Sequence, residues 1–82
     1  MNSEIAKKID VKRMFIGHCE DALISDPKLS VLSVEYKAQL PEDSERIDEF
    51  VTVNFLGGSH KTVCISGDST TAIMIALARA AR

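Results

Sequence analysis

An α+β domain, built as helix, three antiparallel strands, helix, is predicted by three observations. Residues Leu32 to Leu40 alternate apolar and polar without a break. Two more alternating runs, about Glu49 to Leu56 and His60 to Ser66, meet across Gly57-Gly58-Ser59. Stretches with helical spacing bracket these runs at both ends of the chain. Period-two alternation marks half-buried strands, while recurrence near 3.6 residues marks amphipathic helices. At 82 residues the chain holds enough core for a single domain, taken as residues 1–82, with both helices on one face of the sheet.

The first helix is expected from Ser3, a natural N-cap, with Ile5, Ile9, Val11, Phe15, Ile16, Cys19, Ala22 and Leu23 in one broad arc. Asp10 offers an alternative cap for a shorter helix starting at Val11. Ser25-Asp26-Pro27 closes the element, because proline disfavours helical geometry in the residue before it. In the first strand Leu32, Val34, Tyr36, Ala38 and Leu40 share the core side. Val51, Val53 and Phe55 do so in the second, and Val63 and Ile65 in the third. Gly57-Gly58-Ser59 turns the chain between the second and third strands, as a glycine-rich hairpin does. Ser66-Gly67-Asp68-Ser69 then separates strand from helix, with Asp68 or Ser69 placed to cap the closing helix, about Ser69 to Ala81.

Composition narrows the class. With 45% apolar and 27% charged residues the chain has the balance of a folded soluble protein, and its longest apolar run is too short for a bilayer. The N-terminus has no apolar h-region of a secretory signal, so a cytoplasmic protein is expected, with Cys19 and Cys64 reduced. The net charge of −2 is uneven: residues 41–49 sum to −4 and residues 50–82 to +2. A phosphate backbone would therefore meet little basic surface.

No motif specifies a reaction. His18, Cys19, His60 and Cys64 supply the ligand types of a zinc site without its spacing, since His60 and Cys64 are separated by about 13 Å of extended strand. The Lys61-Thr62 pair ends a phosphate-binding signature but lacks the preceding glycine and the strand-to-helix setting. No catalytic set, cofactor or metal is expected. Gly67-Asp68-Ser69 resembles the opening block of the GDSL-type hydrolases, in which the serine is the nucleophile. Here both histidines precede Ser69, so that resemblance supplies no base, and the serine reads as a helix cap.

The element order, with Gly67 before an alanine-rich last helix, resembles the double-stranded RNA-binding domains. That resemblance implies a shared scaffold. The family's phosphate-gripping lysines are replaced by Thr70 and Thr71, and the first inter-strand loop is acidic, so binding of nucleic acid is not expected.

What remains are surfaces. The closing helix is apolar in nearly every direction: Ile73, Leu77 and Ala80 form the core stripe, yet Ile75 falls in the arc of Thr71, Arg79 and Arg82. Ala72, Ile75, Ala76, Ala78, Arg79 and Arg82 are therefore the candidate interface of a homodimer. Glu42, Asp43, Glu45, Asp48 and Glu49 form a candidate electrostatic loop toward a partner protein with a basic surface. The function expected is a small non-catalytic, self-associating protein-interaction module. Two alternatives stand beside it. One is an inhibitor of a host protein, similar in form to small phage- or prophage-encoded chains. The other is an enzymatic or ligand-binding subunit whose site forms between protomers, using Ser69, His60 or Cys64.

Overall fold

The computed structural model describes residues 3–39 and 47–82. The element order is α1 (Ser3–Ile24), β1 (Val31–Gln39), β2 (Asp48–Phe55), β3 (His60–Cys64) and α2 (Thr70–Ala80). The strands form one antiparallel sheet in the order β1-β2-β3. This is the predicted α-β-β-β-α fold. None of the described helices is long and apolar enough to cross a membrane.

Strand alternation decides which side chains enter the core. Val34, Tyr36 and Ala38 of β1 stand opposite Val53, Val51 and Glu49 of β2, and Val51 faces Val63 of β3. On this inner face Val51, Val53 and Ile65 are sealed against Ile16 of α1 and Ile73 and Leu77 of α2. Phe55 shares the face but is only half-buried at the end of the sheet, so the centre of the core belongs to the two valines. The opposite face is polar and bonded across strands: the Thr52 and Thr62 hydroxyls lie 2.9 Å apart, and Asn54 Nδ2 donates to Ser33 Oγ at 3.1 Å.

Three expectations are corrected. Leu32 is 55% exposed, and Val31 takes its inward place. The cause is a register shift between Val31 and Ser33, a bulge in which one extra residue of β1 turns outward. Ser30, at φ 54°, leads into it, and its carbonyl accepts from Leu56 N at 2.9 Å. Val11, placed in the apolar arc, is 67% exposed. It lies roughly 140° around the helix from Ile16 at 100° per residue, on a flank outside the stripe that meets the sheet, where it lines an open groove with Phe15 and Thr70. Ala22 is exposed on the same flank. Finally, α1 is continuous from Ser3 to Ile24, so Asp10 lies inside the helix and caps nothing.

The closing segment follows its local signals. Gly67 adopts φ +74°, a conformation that side chains with a Cβ seldom take, and turns the chain out of the sheet. Ser69 is the N-cap: its Oγ accepts from Ala72 N at 3.2 Å. Ile73, Leu77 and Ala80 are the buried stripe of α2, as their spacing predicts.

Candidate functional site: a buried carboxylate and two unpartnered surfaces

Glu49 is the unusual residue of the inner face. It continues the parity of Val51 and Val53 and is 4% exposed, whereas the charge pattern counts it with the acidic loop even though the alternating run begins at about Glu49. That placement is corrected: Asp48 and Glu49 both belong to β2, where Asp48 pairs with Gln39 and Glu49 with Ala38. Glu42, Asp43 and Glu45 lie outside the described residues.

A buried carboxylate is stable only when its oxygens are bonded. Both of Glu49's are. Tyr36 donates its hydroxyl to Oε2 at 2.6 Å, and Lys12 Nζ donates to Oε1 at 2.8 Å, forming an ion pair. The backbone is fastened as well: Glu49 N donates to Ser66 Oγ at 2.8 Å, and its carbonyl accepts from Ile65 N at 2.9 Å. The Arg13 guanidinium sits 5.2 Å from the centroid of the Tyr36 ring. Glu49 thereby joins α1 and β1 to β2 through its carboxylate, and the segment after β3 through its backbone.

Electrostatics make this cluster a fastening. Burial, then the hydrogen bond to Glu49 and its negative charge, push the Tyr36 phenol well above its ordinary range, against a smaller opposite pull from Arg13. The phenol stays protonated and donates. A cleft of about 310 Å³ opens beside the cluster, lined by Lys8, Ile9, Lys12, Ile47, Glu49, Ser66 and Gly67. Both oxygens of its carboxylate are already engaged on the protein's own donors, Tyr36 and Lys12.

The residues singled out for chemistry are separated or engaged. Ser69 Oγ is committed to the helix cap. Cys64 Sγ donates to Ser66 Oγ at 3.4 Å, and His60 stands at the other end of β3. Burial raises the Cys19 thiol above its usual value, which lowers its thiolate character. Among the described residues no group of three or more His, Cys, Asp or Glu is placed to hold a metal ion.

The α2 surface is as the spacing predicts at single positions. Ile75 is 48% exposed, Ala78, Arg79 and Arg82 are exposed with it, and Ala72 and Ala76 are half-buried. The Arg82 carbonyl accepts from Lys61 Nζ at 3.1 Å, which ties the end of α2 to β3. Sequence spacing missed Met74, which is 54% exposed. It lines a wholly apolar groove of about 180 Å³ between the helices with Cys19, Ala22, Leu23, Leu77 and Ala78. The signal was present in the apolar rim of α1 at Cys19, Ala22 and Leu23, a rim wider than one strand can cover.

No protein-family model matches the chain, and neither a curated protein nor a solved structure matches it.

Proposed function

We propose that this chain is a small non-catalytic protein-interaction module that self-associates, with the outer face of α2 as a contact. The observation that carries the reading is the position of Ile75, 48% exposed on a helix whose opposite side, Ile73 and Leu77, is sealed in the core. Met74 and Ala78 extend the same apolar surface toward the groove between the helices. Alanines around Ile75 allow a second helix to approach closely, and a two-fold axis there brings the same patch of both copies together. Arg79 and Arg82 lie at the rim, where charge sets orientation more than affinity.

Sedimentation of paired variants tests this. Ile75→Asp places a charge in the contact and should lower the assembly's mass while its circular dichroism and cooperative melt stay as in the wild type. Leu77→Asp should unfold the chain. An unchanged mass for Ile75→Asp would remove α2 from the contact and leave Ile75 an ordinary exposed apolar residue.

A further inference from the structure

The edge of β1 is a second surface with no partner strand among the described residues. Val34 N donates to Glu20 Oε2 at 2.6 Å, so that amide points away from β2. Because backbone groups alternate sides along a strand, the amides and carbonyls of Tyr36 and Ala38 also point to the open edge. The sheet order puts β1 outermost, and no strand lies beyond it among the described residues. Such an edge is a template for another strand. A groove of about 410 Å³ runs along it between α1 and β1, with Arg13, Gly17 and Glu20 on one wall and Glu35, Tyr36 and Lys37 on the other. A Cβ added at Gly17 would meet nothing within 4 Å, so this flank of α1 is open.

We propose that β1 pairs edge to edge with β1 of a second copy, antiparallel about a two-fold axis at Tyr36, joining two sheets into one. This rests on the reading of a self-associating module and names a contact separate from α2. Charge selects the occupant and the register. With the axis at Tyr36, Glu35 of each copy stands opposite Lys37 of the other, and Val34 stands opposite Ala38. Moving the axis by one residue sets Glu35 against Glu35, or Lys37 against Lys37. Opposite charges facing across strands stabilise pairing and like charges oppose it.

The helix repeats the pattern. Arg13 and Glu20 flank Gly17 on the wall of the same groove, so the same axis brings Arg13 of one copy toward Glu20 of the other. In the separate chain Glu20 occupies the Val34 amide; on pairing, that amide passes to the Ala38 carbonyl of the second copy and Glu20 turns to Arg13. Both Glu35 and Lys37 are exposed, and among the described residues Glu35 holds only a long 3.4 Å contact from Asn54, so exchanging these charges leaves the fold intact.

The experiment uses the full-length Ile75→Asp chain, in which the α2 contact is removed. Sedimentation should still show a dimer, and adding either Glu35→Lys or Lys37→Glu should weaken it by roughly tenfold or more at low salt. Mixing the two charge variants in equal amounts should restore the dimer, because the first presents two lysines and the second two glutamates. Hydrogen exchange at the Tyr36 and Ala38 amides should slow as the concentration of the Ile75→Asp chain rises. Undiminished association of both charge variants, or no recovery on mixing, would overturn the β1 contact. A wild type that assembles while Ile75→Asp is monomeric would also overturn it and leave self-association standing. A monomeric wild type would overturn both readings.

Discussion

The two helices share one face of the sheet and are held there by different physics. The shorter, α2, has Ile73, Leu77 and Ala80 buried along one stripe, and Ala81 follows them into the core. The longer, α1, runs 22 residues yet seals only Ile16 among its apolar side chains. Ile9, Phe15, Cys19 and Leu23 pack on the core only half-buried, and polar contacts add to that grip: Lys12 on Glu49, Arg13 over Tyr36, and Glu20 on the Val34 amide. The difference follows from position. α2 packs against β2 and β3 at the centre of the apolar face. α1 lies over the edge strand, where one strand's width offers half a core and directional bonds must set its place. Burial holds α2 wherever its stripe fits, whereas hydrogen bonds fix the register of α1.

The sharpest test of this contrast is cavity formation. Leu77→Ala should destabilise the domain by about 2–5 kcal/mol, a large share of the roughly 5–15 kcal/mol typical of a small domain. Val11→Ala on the exposed flank of α1 should stay within about 0.5 kcal/mol. Urea unfolding of both variants reads the difference. Comparable losses would mean that α1 is held by burial as α2 is.

Next in size is the polar fastening. Glu49→Ala leaves the Tyr36 hydroxyl and Lys12 without their shared acceptor and should destabilise by about 2–3 kcal/mol. The chain has one tyrosine and no tryptophan, so absorbance of the phenolate reports Tyr36 alone. In the wild type that titration should lie far above the ordinary tyrosine value of 10.0, and Glu49→Ala should move it back down. The sign for stability follows. The phenol's value is higher folded than unfolded, so the unfolded chain loses its proton first as pH rises. The contribution is therefore complete below about pH 10 and falls above it. Tyr36→Phe should flatten this alkaline limb, and an ordinary titration in the wild type would show the phenol facing water.

The smallest effect belongs to the entry of α2. Ser69→Ala removes the acceptor for the Ala72 amide and should cost about 1 kcal/mol, read as a lower urea midpoint with an unchanged slope. A loss as large as that of Leu77→Ala would mean that α2 depends on its cap more than on its stripe.

Much of the fold was legible in local pattern. Alternation at Val34, Tyr36 and Ala38, at Val51 and Val53, and at Val63 and Ile65 assigns each to the inner face, and each stands there in the structure. Ser69 reads as a cap and serves as one, because a cap concerns amides only a few residues away. The alternation around Leu32 misleads, since a bulge of one residue reverses parity and leaves no periodic mark.

The candidate surfaces divide along the same line. That Ile75 opposes Ile73 and Leu77 follows from 100° per residue, so its exposure is written in the sequence. Glu49 could not be read in this way. A glutamate at the end of an acidic run belongs in water unless a donor arrives from elsewhere, and its partners Tyr36 and Lys12 stand 13 and 37 residues away. The meeting of Arg13, Gly17 and Glu20 with Glu35, Tyr36 and Lys37 is equally invisible along the chain. Only the packing of α1 across β1 brings the two sets to the walls of one groove. Sequence determined the elements and their inward faces, because those depend on neighbours within a turn or a pleat. Tertiary structure decided which charge is buried and which edge is open, because both depend on side chains meeting from distant segments.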